Sequence, residues 1–170
     1  DLRTSNAFSK RFMPGVFAAY GTLDNRWKAG LNTRFILRKS PRTEAYFEIK
    51  RDLEQFGMNG LLDQGEVFTS LLRTDSVVPL SEVVRAEASL LHEFGQGYSG
   101  FLEWRHRRVA AIGDWDFKDP FNGSSLDQLI TTELTGIVRY AFQERFVSGE
   151  FERISLGTEW PILVGTATWG

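Results

Sequence analysis

The chain has 170 residues, of which 42% are hydrophobic and 25% charged, and its formal net charge is −2. No stretch approaches the roughly eighteen consecutive apolar residues of a membrane helix, which excludes a helical membrane protein. The near-zero charge and the short basic run at 105–108 give no electrostatic basis for nucleic-acid binding. Cysteine is absent, so disulfides, thiol catalysis and thiolate metal sites are excluded as well.

The first part of the chain predicts three strands. One covers about Arg11 to Gly21 and contains Pro14, which cannot donate to a ladder and therefore suits a strand end or a bulge. From Trp27 to Leu37, apolar residues occupy one parity and polar residues the other, which is the period of a half-buried strand. Glu44 to Leu53 repeats this pattern, with Arg51 as a charge on the apolar side.

The second part predicts three further long strands and two weaker ones. The long strands are Glu82 to Phe94, Tyr98 to Arg107 and Ile130 to Gln143. Their charges recur at every second residue, which would scatter them around a helix and leave no apolar stripe. The weaker strands are Glu152 to Glu159 and Ile162 to Trp169. The sequence therefore predicts an all-β chain with antiparallel strands.

The connections between these strands alternate in length. Tight links near Ser40 and Gln96 alternate with a long one from about Gly57 to Pro79 and a medium one from about Gly113 to Ser125. Outer-membrane β-barrels have this asymmetry, with short periplasmic turns and long external loops. We therefore expect the Gly57 to Pro79 loop, including Asp63, outside the cell, and Gln96 in the periplasm.

Strand parity divides the side chains between two faces. We expect aromatic side chains near the strand ends to form interfacial girdles, as they do in membrane barrels. These are Tyr20, Trp27, Tyr98, Tyr140, Phe142 and Trp160. The side chains expected to face lipid are Leu31, Phe35, Phe47, Ile49, Leu90, Leu102, Leu134 and Val138. The charges expected inside are Lys28, Arg34, Glu48, Lys50, Arg85, Glu87, Glu103, Arg105, Glu133 and Arg139, and their mixed signs allow them to pair across a lumen.

Several segments resemble a known family. They are Phe8 to Tyr20 (FSKRFMPGVFAAY), the following WKAGL, Lys50 to Gly57 (KRDLEQFG) and Arg139 to Leu163 (RYAFQERFVSGEFERISLGTEWPIL). This text resembles the C-terminal barrel of an uncharacterised family of Bacteroidota outer-membrane proteins. Members of that family have an N-terminal carboxypeptidase-regulatory-like domain and a barrel similar to those of the surface-antigen and outer-membrane-assembly superfamily. The resemblance implies location in the outer membrane and carries no active-site signature.

The residue types needed for catalysis or metal binding are few. His92 and His106 fall on the lipid-facing parity, without the polar cavity and orienting partner that a catalytic or metal-bound histidine needs. No Gly-x-Ser-x-Gly elbow is present, and Ser81, Ser89 and Ser99 are ordinary polar residues of strands. The loop 114–123 contains oxygen ligands of the kind Ca²⁺ prefers but lacks EF-hand spacing, which favours a solvated loop. We predict no catalytic residue, metal ligand or cofactor.

The interpretation is a partial antiparallel transmembrane β-barrel, with about seven to nine strands visible and residues 1–170 forming a segment of a single barrel domain. Its expected location is the bacterial outer membrane, and its expected function is that of a channel, an export or assembly component, or a membrane anchor. The alternative is a soluble β-barrel or sandwich that binds an apolar ligand, because alternation alone does not show which face meets water.

The expected partners follow from this interpretation. They are the lipid bilayer, the remaining barrel strands from the same or a partner chain, and an envelope protein complex. The segments 1–4 and 162–170 both fall in strand-like text, so we expect each to run beside residues that are not in this sequence.

Overall fold

The computed structural model describes residues 2–4, 7–22, 25–55, 80–113, 116–119, 121–149 and 152–170, and the regular structure in these ranges is β-strand. Within them, no helix has the length and apolar character needed to cross a membrane. The strands are β1 (Leu2–Arg3), β2 (Phe12–Gly21), β3 (Arg26–Lys39), β4 (Arg42–Gln55), β5 (Leu80–Gly95), β6 (Tyr98–Ile112), β7 (Phe117–Lys118), β8 (Ser125–Leu126), β9 (Gln128–Ala141), β10 (Arg145–Ser148), β11 (Arg153–Gly157) and β12 (Ile162–Trp169).

Eight of these strands form one sheet in the order β1-β2-β3-β4-β5-β6-β9-β12, and every neighbouring pair is antiparallel. The all-β antiparallel prediction is confirmed. The central strands have 14 to 16 residues, and β3 to β6 extend beyond their predicted bounds. β9 begins two residues before the predicted Ile130 and ends at Ala141, so the predicted Phe142 and Gln143 lie outside it. Alternation weakens near strand ends, where backbone pairing continues although the side chains no longer alternate in polarity.

The expectation of a strand end or bulge at Pro14 is wrong, because β2 runs through this residue without a register shift. The Pro14 carbonyl accepts a hydrogen bond of 3.2 Å from the Thr4 amide, which places that carbonyl on the β1 side of the strand. Since the nitrogen and carbonyl of one strand residue point to the same side, the missing N–H also faces β1. The ladder to β3 therefore loses no hydrogen bond.

The two ends of the sheet differ in their connections. One end, called here the turn end, carries the turns of β3–β4 and β5–β6 and the segment 142–161. The opposite loop end carries residues 22, 25, 113, 116–119 and 121–127, while the Gly57 to Pro79 loop lies outside the described residues. At the turn end, Gly97 has φ +86°, and a Cβ there would meet the Ala141 carbonyl oxygen at 2.4 Å. Only glycine fits this position of the turn.

Two small hairpins accompany the main sheet. β7 pairs with β8 at the loop end, and β10 pairs with β11 at the turn end. The predicted strand Glu152 to Glu159 is therefore present in part, as β11, but it does not join the main sheet. Its partner β10 lies immediately upstream, so the segment folds on itself before β12 returns to pair with β9.

The sheet does not close into a barrel among the described residues. β1 pairs with β2 through only two residue positions, and β12 pairs along one side with β9. All eight residues of β12 are exposed. Within the described part of the chain the sheet thus has two open edges, one formed by β1 and β2 and the other by β12.

Candidate functional site

The most distinctive feature of the molecule is a broad surface of exposed apolar side chains on one side of the sheet, called here the apolar face. The cross-strand register places the predicted apolar residues of five strands on this one side. Leu134 is 39% exposed and Val138 62% exposed, although both lie within strand β9. The residues of this face that were predicted to lie together are Leu31, Phe35, Phe47, Ile49, Leu90, Leu102, Leu134 and Val138.

The apolar face is bounded at the loop end by charges that pair with one another. Glu82 accepts hydrogen bonds from Arg51 at 2.9 Å and from Arg26 at 2.7 Å. Arg51 is the charge that broke the alternation in the sequence. Its position near the loop end, within a three-residue ionic group, explains how the face accommodates it.

Aromatic side chains lie at both ends of the apolar face, where the sequence placed them. Their rings contact one another in pairs, either between adjacent strands or within the segment that connects two strands. The pairs are Tyr20 with Trp27 at the loop end, and Tyr98 with Tyr140 and Phe142 with Trp160 at the turn end, with ring centroids 5.2, 4.4 and 5.6 Å apart.

The opposite side of the sheet, called here the charged face, carries a ladder of ion pairs across neighbouring strands. Glu48 and Glu87 have side chains only 17% and 16% exposed, so these charges are more buried than the apolar residues across the sheet. The pairs join residues of the same strand or of neighbouring strands on one side of the sheet, whereas the sequence had suggested pairing across a lumen. The contacts are Glu48–Arg85 at 3.1 Å, Arg85–Glu87 at 3.3 Å, Glu87–Arg105 at 2.9 Å, Arg105–Glu103 at 3.3 Å and Arg105–Glu133 at 3.8 Å.

The two histidines lie on the apolar face, as predicted, each opposite a threonine. His92 Nδ1 is 2.9 Å from Thr43 Oγ1, and His106 Nδ1 is 2.8 Å from Thr132 Oγ1. The cross-strand register places Ser81, Ser89 and Ser99 on the charged face instead. The pleat therefore separates the histidines from these serines, and no serine–histidine pair forms among them.

The loop considered for Ca²⁺ is partly described. The Asp119 carboxylate accepts a hydrogen bond from the Phe121 amide at 2.8 Å, and the Asn122 side chain accepts one from the Ser124 amide at 2.9 Å. Within the described ranges, no three acidic, histidine or cysteine residues are grouped to hold a metal ion. Phe117 is buried against Val83 and Val109 of the charged face, so this part of the loop covers the sheet instead of extending into solvent.

At the turn end, the β10–β11 hairpin also covers the charged face, but it is held there by ion pairs between side chains. The side chain of Glu144 follows β9 and is only 4% exposed. Its two carboxylate oxygens accept hydrogen bonds of 2.5 and 2.8 Å from Arg139, and one of them also accepts from Ser155 of β11 at 2.5 Å. Glu144 therefore joins the main sheet to the hairpin. The hydrogen bonds from Arg139 hold the pKa of this carboxyl below its usual range, against the opposing effect of burial.

Glu93 makes a second ionic connection at the same end. One oxygen pairs with Arg153 of β11, and the other accepts a hydrogen bond of 3.1 Å from the Arg42 amide in the β3–β4 turn. The Arg153 guanidinium also lies over the Phe146 ring, 3.7 Å from its centroid. Arg153 thus contacts both strands of the hairpin and also binds the hairpin to the main sheet.

Sequence reasoning missed this hairpin and its ionic contacts. The signal was present around Gly149, where Val147, Ile154 and Leu156 alternate with the polar Ser148, Arg153 and Ser155 within a segment too short to span a membrane. Comparison of the chain with protein-family models, curated proteins and solved structures found no match.

The lowered pKa of Glu144 predicts how the hairpin responds to acid. A carboxyl whose folded pKa is depressed stabilises the folded contact above its ordinary pKa, and the stabilisation is lost as the pH falls through the depressed value. Protection of the β10 and β11 amides, measured as the exchange rate relative to the intrinsic rate at the same pH, should therefore fall on acidification below the usual range of a glutamate. In Glu144→Gln this protection should be low already at neutral pH. Glu159→Gln, a nearby exposed control, should leave the pH dependence unchanged.

Proposed function

We propose that this chain forms part of the wall of a transmembrane β-barrel in a bacterial outer membrane, where it acts as a channel, an export or assembly component, or an anchor, without catalytic activity. The observation that carries the proposal is the inversion of the two faces. Large apolar side chains are exposed across one side of a single-layer sheet, while Glu48 and Glu87 on the other side are paired and less exposed than those apolar residues.

In water this arrangement is unfavourable. Monomeric soluble proteins seldom expose apolar patches beyond a few hundred Å², and the apolar face runs across strands β3, β4, β5, β6 and β9. In a bilayer the same arrangement is favourable, because lipid chains cover the apolar side and the polar side lines the interior. The bilayer is thus the partner whose chemistry fits the apolar face.

The dimensions support the same conclusion. Central strands of 14 to 16 residues exceed the nine to eleven or so that a tilted transmembrane strand requires. Between Thr43 and Arg51 of β4 the apolar face extends eight residues, roughly 27 Å along the strand. Tilted as in known barrels, this length approaches the apolar band of about 25 Å, with the aromatic pairs at its two borders.

The alternative is a soluble sandwich or ligand-binding barrel, in which the apolar side is covered by protein. In the described part of the chain, both hairpins lie over the charged face and neither covers the apolar face. This placement favours the membrane.

Cell fractionation separates these two functions. We expect the full-length protein in the detergent-soluble outer-membrane fraction, with an electrophoretic mobility that changes on heating, since folded barrels resist detergent until boiled. Recovery from the soluble periplasm would instead support the soluble alternative and rule out the membrane wall.

Two adjacent residues of β9 test which side meets lipid. Leu134 lies in the central row of the apolar face, opposite Trp104 and Trp169. Leu134→Arg should reduce the free energy of folding into lipid vesicles by about 2–4 kcal/mol. Glu133→Gln on the charged face removes only a partly exposed pair with Arg105 and should cost less than about 1 kcal/mol. Equal effects at both positions, measured by denaturant titration, would contradict the assignment of the faces.

The open edges predict that the wall needs more strands. Each unpaired backbone group in hydrocarbon costs several kcal/mol because no water can satisfy it, and β12 has such groups along one whole side. We therefore expect closure by strands of the same polypeptide or of a partner. Residues 1–170 expressed alone should fail to form a heat-modifiable, protease-resistant species in detergent. If they do form one, this segment closes by itself as a small barrel.

A further inference from the structure

The β10–β11 hairpin occupies a place that a simple connection between β9 and β12 would not require. Two adjacent strands of a sheet can be joined by a tight turn, as β5 and β6 are at Gln96. Here the segment 142–161 instead forms its own two-stranded sheet and turns toward the charged face. Its side chains make ionic contacts with two separate parts of the main sheet.

The geometry shows that the hairpin stands over the charged face and not away from it. A cavity of about 1210 Å³ lies between them, lined by Arg34 and Leu91 from the sheet and by Phe146 and Ile154 from the hairpin. A second cavity of about 870 Å³ reaches farther along the charged face, and Gly149 and Glu152 of the hairpin line it. The hairpin therefore lies across the polar path on the inner side of the wall.

Two carboxylates hold this position through Arg153 and Ser155, which lie on the same side of β11. Glu93 on β5 pairs with Arg153, and Glu144 links Arg139 of β9 to Ser155. The base of the hairpin is tied separately, because the Thr158 hydroxyl donates to the Phe142 carbonyl at 2.5 Å. Breaking the two carboxylate contacts would release the arm of the hairpin while leaving its base attached.

We propose that the β10–β11 hairpin is a latched gate, which closes the polar interior of the barrel at the turn end and opens when the Glu93 and Glu144 contacts break. The gate rests on the proposed function, since a polar interior exists only if the sheet is part of a closed wall. It would control small hydrophilic solutes, because the ion-pair ladder lies on the charged face and the charged side chains Arg34 and Glu44 line both cavities. Conductance across a bilayer reports this directly.

The test compares the protein whose hairpin contacts have been removed with the same protein after a crosslink replaces the Glu93–Arg153 contact. In the full-length protein, with any other cysteine replaced, Glu93→Cys and Arg153→Cys combined with Ser155→Ala remove both contacts and introduce two thiols. In planar lipid bilayers this uncrosslinked variant should show a severalfold higher conductance than the parent. Bridging the two thiols with a short bismaleimide should return the conductance to the parent level. Arg153→Gln combined with Ser155→Ala should also raise the conductance.

A matched control applies the same chemistry where no gate is involved. Thr135 and Thr168 lie directly opposite one another on β9 and β12, with their hydroxyl oxygens 3.2 Å apart. Thr135→Cys combined with Thr168→Cys, crosslinked by the same reagent, should leave the conductance unchanged. This control separates a response of the hairpin from general stiffening of the wall.

The possible results distinguish the gate from the barrel. If the variants enter the membrane with heat-modifiable mobility but release and crosslinking leave the conductance unaltered, the hairpin is not a gate and the barrel proposal stands. If the full-length parent is recovered as a soluble periplasmic protein, the proposed function fails and the gate fails with it. Conductance that rises on release and falls on crosslinking supports both.

Discussion

Antiparallel pairing from β2 through β9, with register shifts only near the β3–β4 and β5–β6 turns, determines how every other part of this molecule is arranged. Because side chains alternate across a pleated strand, a shift of one residue between two strands would exchange their apolar and charged sides. The register places Phe47, Ala88, Trp104 and Leu134 in one row and Glu48, Glu87, Arg105 and Glu133 in the row beside it on the other face. Both faces, and both hairpins that cover only one of them, depend on this pairing.

The ion-pair ladder strengthens this arrangement through specificity more than through stability. Partly buried ion pairs lose hydration energy that roughly offsets their attraction, so the ladder from Glu48 to Glu133 adds little net free energy. A register error, however, would move charges onto the apolar face and leave them without partners. The β7–β8 hairpin covers the same face through Phe117 in an apolar cluster, whereas β10–β11 does so through ions. The apolar contact is suited to hold β7–β8 on the sheet permanently, whereas the ionic contacts of β10–β11 are suited to break and let that hairpin move.

The sequence could predict what depends on local alternation and could not predict what depends on contacts between distant residues. The long strands, the two faces and the aromatic ends follow from a period of two, and the structure confirms them. Arg51 broke that period because its partner is Glu82 on another strand, which also pairs with Arg26. The hairpin was missed for a similar reason: Arg153 and Glu93 are sixty positions apart, and nothing local shows that they meet. Membrane location remains a proposal, since alternation is the same for lipid and for a protein core.

The two open edges of the described sheet are unequal. At Pro14 the β1 side is already occupied, because the Pro14 carbonyl accepts a hydrogen bond from the Thr4 amide, so an incoming strand there would have to pair with the two-residue strand β1. β12 has no proline from Ile162 to Trp169 and offers a row of eight residues. Edge-to-edge polymerisation needs two competent edges in succession, and a very short edge strand is a poor template for it. Growth of copies into a filament would therefore be limited by the β1 edge.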